Sequence, residues 1–127
     1  MELIAFVTGL ILLEYMIITM AVGKARVDTG ISAPAISGDE VFERHFRVQQ
    51  NTLEQLIVVL PALWIFAHVV RVDVAAGLGA LFIVGRFLYF RAYVADPTKR
   101  TLGFLSGFLA TVILVLGSII GAGMKLI

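Results

Sequence analysis

An all-α membrane protein, a bundle of four transmembrane helices, is what this sequence predicts, and three observations predict it. The apolar residues collect into four long stretches, charges are few and lie mostly between them, and no segment alternates polar and apolar residues as a barrel strand would. Of the 127 residues, 60% are hydrophobic and 15% charged, and the mean hydropathy is +1.00, outside the usual range of soluble globular chains. The stretches cover residues 3–22, 53–70, 74–90 and 101–124, each near the ~20 residues a spanning helix needs. Because an unpaired backbone amide in hydrocarbon is costly, each stretch has to close its own hydrogen bonds as a helix. No repeat or interdomain linker interrupts them, so a single domain over residues 1–127 is expected, with helices at about 2–24, 38–70, 73–94 and 97–125.

Helix one starts with Glu2 where a signal peptide would be basic, and no small-residue cleavage site precedes its first charged cluster. It is expected to remain in the mature chain. Glu14 lies in the middle of this span and is expected to serve an interhelical role. Helix two should open with a capping box made by Ser37 and Glu40, then run for roughly 50 Å, well beyond the hydrocarbon thickness. Its first turns therefore stand in the headgroup zone, and Pro61 should bend it locally. Between helices three and four, Asp96 can cap and Pro97 can take the first helical position. Gly103 with Gly107, and Gly117 with Gly121, are spaced to let helix four pack closely.

Eight of the ten Lys and Arg residues, namely Lys24, Arg26, Arg44, Arg47, Arg86, Arg91, Lys99 and Arg100, fall around the first and third connections, leaving Arg71 and Lys125 on the other side. The positive-inside rule then puts those two connections in the cytoplasm and both termini outside. The net charge of +1 itself says little, and no nucleic acid is expected as a partner. The absence of cysteine removes any protein thiol chemistry, and His45 and His68 have no partners at metal-ligand spacing, so no metal is expected.

Two constellations carry the chemistry. On helix two, Glu43, Arg47, Asn51 and Glu54 fall within about 80° on a helical wheel, a narrow polar stripe that continues into the apolar span. A Glu43–Arg47 pair would account for the first two residues but not for Asn51 and Glu54, and polar groups at membrane depth face a bundle interior, a cavity or an oligomer contact. On helix three, Arg86, Tyr89 and Tyr93 share a face, with Arg100 across the turn. Lys99 and Arg100 in the first turn of helix four oppose its macrodipole, and cations added to free helix-start amides favour a bound anion such as a carboxylate or thiolate.

With Phe42-Glu-Arg, Arg47, Gln49, Asn51 and Glu54 in helix two, and Arg86, Tyr89-Phe90, Tyr93 and Arg100 later, the chain resembles the family of membrane-associated proteins in eicosanoid and glutathione metabolism. The order and number of spans agree over essentially the full length. The resemblance implies a homotrimer that binds glutathione as co-substrate at the cytoplasmic end of the interface between neighbouring subunits. It implies that Arg26, Arg47, Gln49, Asn51, Glu54, Tyr89 and Tyr93 hold the peptide, and that Arg100 stabilises its thiolate for attack on a lipophilic electrophile or hydroperoxide. The same family contains a non-catalytic lipid-binding scaffold, which is the alternative. Gln55 and Leu88 stand where the leukotriene synthase branch has tyrosine and arginine, so that branch's substrate is not carried over. The short chain and compact loops resemble bacterial members, which implies an inner-membrane location.

Overall fold

The computed structural model describes all 127 residues as four helices, α1 (Glu2–Thr29), α2 (Glu40–Val69), α3 (Val72–Ala95) and α4 (Thr101–Leu126), with a 3₁₀ turn at Pro97–Lys99 before α4. All four are long and apolar enough to cross a membrane. α2 and α3 form the centre; α1 rests against both on one side and α4 against both on the other. The main core joins Ile4 and Ile11 of α1, Val59 and Leu63 of α2, Phe82 of α3 and Leu114 of α4. Only 28 residues are buried, while Phe6, Met20, Ile57, Leu102 and Ile119 point outward. Apolar side chains on the outer faces cost nothing in hydrocarbon, so the interior has to be distinguished by close packing instead.

Glycine supplies that packing where α3 crosses α4. A Cβ on Gly85 would lie 2.7 Å from the Gly107 nitrogen, and one on Gly103 would lie 2.3 Å from the Tyr89 nitrogen and 2.7 Å from its Cα. The two backbones therefore touch. At the other end of α4, a Cβ on Gly117 would meet the Phe66 ring at 2.3 Å and one on Gly121 the Val70 side chain at 2.8 Å.

Helix ends differ from expectation in three places. α1 runs on to Thr29, five residues past the expected end, and stops at Gly30, whose φ of 73° returns its N–H to the Arg26 carbonyl at 2.9 Å. α2 is capped by Asp39, not by Ser37: Asp39 Oδ1 accepts from the Phe42 N–H at 3.1 Å. Gly38, at φ 127°, turns the chain so that its N–H donates to Glu43 at 3.1 Å, and Glu40 is engaged instead by Arg44. Asp96 caps the 3₁₀ turn through the Thr98 N–H at 3.1 Å and hydroxyl at 2.8 Å, so Arg100 sits at the junction before α4 and not within its first turn. α2 continues through Pro61 without a break in helical assignment.

Candidate functional site

The backbone contact between Gly103 and Tyr89 brings the start of α4 against the last turns of α3, and α2 closes the third side. The result is an open pocket of about 540 Å³ lined by Arg47 and Asn51 from α2, Tyr89 and Tyr93 from α3, and Arg100, Thr101 and Phe104 from the junction and α4. Five residues singled out from the sequence thus meet in one place. The Tyr89 and Tyr93 rings stack with centroids 5.4 Å apart, and Phe104 leans on Tyr89 at 6.4 Å. The wall is aromatic; the polar groups are two guanidiniums, two phenols, a hydroxyl and an amide.

The electrostatics favour an anion with attached donors. Arg100 donates to the Pro97 carbonyl at 2.8 Å, which leaves its charge without a carboxylate partner within ion-pair distance. Arg47 has one, Glu54 at 3.1 Å, and both side chains remain about half exposed, at 51% and 58%. Glu43, read with Arg47 on the wheel, is instead occupied at the helix start by Gly38. Asn51 Oδ1 is buried without any hydrogen-bond partner. A buried acceptor left open carries a desolvation penalty. Carboxylates or other oxyanions suit the two guanidiniums.

The turn below the pocket is held electrostatically. The Thr98 hydroxyl, and after it the Thr98 amide, keep the Asp96 carboxyl below the usual range, so it is anionic when it caps. Arg44 reaches from α2 to the end of α3, donating to the Val94 carbonyl at 3.3 Å and the Ala95 carbonyl at 3.2 Å. These are carbonyls with no further helical turn to bond them. The contact ties Tyr93 and the Arg100 junction to the helix that carries Arg47.

Three of the expected residues do not line the pocket in the single chain, and one of them, Glu54, meets it only through its pairing with Arg47. Gln49 donates to the Thr19 hydroxyl of α1 at 3.1 Å, and Arg26 donates to the Ala35 carbonyl at 2.7 Å with its guanidinium 4.6 Å over the Phe42 ring. Helical geometry forbids otherwise, since Gln49 is two residues and about 200° round from Arg47. Arg86 is buried in the bundle and does not line the pocket. Thr101, Phe104 and the Arg44 clamp were not singled out from the sequence. Phe104 lies four residues after Arg100, on the same face, and that spacing could have found it; the clamp joins residues 50 apart and has no local signal.

A second cavity, of about 320 Å³, lies between α1 and α3 and is apolar except for Glu14.

Comparison with known proteins places these features. The model of the MAPEG family matches residues 4–120. An uncharacterized protein of Synechocystis is 44% identical over 91% of this chain and 85% of its own length. Human microsomal glutathione S-transferase 2 is 38% identical over 81% of this chain and 68% of its own length, and a probable microsomal glutathione S-transferase of Dictyostelium discoideum is 31% identical over 61% and 52%. With four helices able to span a membrane and a family match over nearly its whole length, the chain is an integral membrane protein of the MAPEG family.

Proposed function

We propose that the pocket binds glutathione and ionises its thiol for attack on a lipophilic substrate. The observation that carries this reading is the meeting of Arg100 with Arg47, Asn51, Tyr89 and Tyr93 in one pocket, in a chain whose relatives include proteins named as glutathione transferases. A free thiol has a pKa near ~8.5 and is mostly protonated at neutral pH, and a guanidinium in a pocket of low dielectric shifts it toward the thiolate. Arg100 fits that role because no carboxylate neutralises it. Arg47, Asn51, Tyr89 and Tyr93 would anchor the peptide.

With an electrophilic carbon, the thiolate sulfur supplies the electron pair of a new C–S bond, and the displaced group leaves with the pair from the bond it loses. With a lipid hydroperoxide, sulfur attacks the distal oxygen and the O–O bond breaks. The lipid alkoxide takes a proton, and the sulfenic acid formed on sulfur is reduced by a second glutathione, giving disulfide and water. Apolar substrates reach the pocket from the bilayer.

The assembly we infer is a homotrimer with the site between subunits. Arg47 and Glu54 remain half exposed on a spanning helix, as groups facing an oligomer contact do. Gln49 and Arg26 on the other faces would then act on a neighbour's pocket, which reconciles their positions with a peptide-anchoring role. The basic bias of the first and third connections supports their cytoplasmic placement, with both termini outside; the short chain and a Synechocystis relative support a bacterial inner membrane. The apolar cavity between α1 and α3 favours one second reading, a lipid-binding scaffold without turnover.

Thiolate absorbance near ~240 nm separates the two. Purified protein titrated with glutathione is expected to show it at saturation; binding without any thiolate signal overturns thiol activation and leaves the scaffold. Arg100→Ala should abolish the signal and keep most of the affinity, whereas Arg47→Ala should weaken binding about tenfold or more.

A further inference from the structure

Arg86 is the largest fully buried side chain in the molecule, 2% exposed, in the second half of the spanning helix α3. A guanidinium carries five N–H donors, yet this one makes a single hydrogen bond, from Nη2 to Thr52 Oγ1 at 2.8 Å. Its Nε is buried with no partner. The Thr52 oxygen is oriented to accept because its own proton goes to the Val48 carbonyl at 2.7 Å. From α4 it is Gly107 that faces the Arg86 stem, where a Cβ would lie in ordinary contact, 3.9 Å from Cδ. A lone cation in such a place is expensive, and hydrophobic replacements of buried charges are often neutral or stabilising, so packing alone does not account for it.

Its surroundings connect it to the pocket on one side and to α1 on the other. The guanidinium carbon lies 4.2 Å from the centroid of the Tyr89 ring, and Tyr89 lines the pocket. Thr52 follows Asn51, which also lines it. On the far side, Glu14 of α1 lies in the apolar cavity it shares with Ile83, Phe87 and Phe90, the α3 residues that flank Arg86 in sequence. We propose that Arg86 and Glu14 form an opposed pair of intramembrane charges behind Tyr89, with Arg86 strengthening and Glu14 weakening the pocket's hold on a bound anion. Arg86 also fixes the Tyr89 ring, as a positioning residue that never touches the ligand. The inference rests on the glutathione reading of the pocket.

The charged and titratable groups around the bound thiol are Arg47 and Glu54 from α2, Tyr89 and Tyr93 from α3, and Arg100 at the junction. Around Arg86 they are Glu14 from α1 and Tyr89 from α3, while α2 and α4 present Thr52 and Gly107. Neither Arg86 nor Glu14 lines the pocket, so each can be replaced without removing a group that touches the ligand.

The test is the pH midpoint of the 240 nm thiolate signal in glutathione-saturated protein. Arg86→Met should raise the midpoint by about one pH unit, and Glu14→Gln should lower it by a smaller amount, about half a unit. The opposite signs are the signature, because a merely structural defect in either variant would weaken the site in the same direction. Arg86→Lys, which keeps charge but loses the planar face over Tyr89, should fall between Arg86→Met and the parent chain. If Arg86→Met does not fold, Glu14→Gln decides: an unmoved or raised midpoint overturns the proposal. A folded, glutathione-binding Arg86→Met with an unmoved midpoint also overturns it, while normal ionisation in the parent chain leaves the pocket reading intact. A parent chain that binds glutathione without ionising it overturns both.

Discussion

Arg47 and Arg100 are both pocket guanidiniums, yet their surroundings give them different work. Arg47 shares its charge with Glu54 at 3.1 Å, an exposed pair that contributes little to stability, ~1 kcal/mol or less. Glu54→Gln should therefore leave the melting temperature nearly unchanged while weakening glutathione binding by about tenfold, through loss of the group that orients Arg47. Calorimetric binding beside a thermal melt in the same detergent checks both halves. Asp96 belongs to the same scale. Its carboxyl is held below the ordinary range by Thr98, so its contribution is complete above that range and is lost as pH falls through the lowered value. Hydrogen exchange of residues 97–100, corrected for intrinsic rate, should accelerate on acidification, and Asp96→Ala should show fast exchange at every pH.

Among the helices, the decisive contact is the one between α3 and α4. Gly103 has no room for a side chain because its neighbour is the Tyr89 backbone, which no rotamer change can move aside. Gly103→Ala should force the crossing apart, destabilise the bundle by about 1–3 kcal/mol and separate Tyr89 from Arg100. The loss of thiolate signal should exceed the loss of fold. Gly77→Ala is the matched control: a Cβ there meets nothing within 4 Å, and alanine's helix propensity should make it neutral or slightly stabilising. The α2 start offers a separate measure, since Asp39→Ala removes the acceptor for Phe42 N–H and should cost about 1 kcal/mol without reshaping the pocket.

For the whole molecule, the question is whether one chain or two build the site. Arg47 and Gln49 cannot both face one pocket from one helix. If a neighbour supplies Gln49, chains carrying Arg47→Ala and chains carrying Gln49→Ala, each weakened alone at limiting glutathione, should restore intact sites when co-assembled. Random mixing in equal amounts in a closed ring predicts recovery of about a quarter of the thiolate signal. No recovery in oligomers shown to be mixed would confine the site to a single chain. Crosslinking in lipid should report a trimer.

Much of this was legible in the residues themselves. Four spans follow from hydropathy because hydrocarbon gives the backbone no other way to satisfy its hydrogen bonds, a constraint that acts on each segment alone. Arg47 and Asn51 stood out on a polar stripe that runs on into the apolar span, Tyr89 and Tyr93 by sharing a helix face, and Arg100 as a cation at a helix start, all local properties of one helix. Which of them meet was another matter. That Asp39 and not Ser37 caps α2 depends on the turn at Gly38, and that Arg44 clamps α3 depends on two helix ends coming level. Arg86 and Tyr93 share a helix face in sequence, yet one is enclosed and the other lines the pocket. Periodicity specifies the face a residue occupies on its own helix; only the packing of α2, α3 and α4, set where Gly103 lets two backbones touch, decided what that face meets.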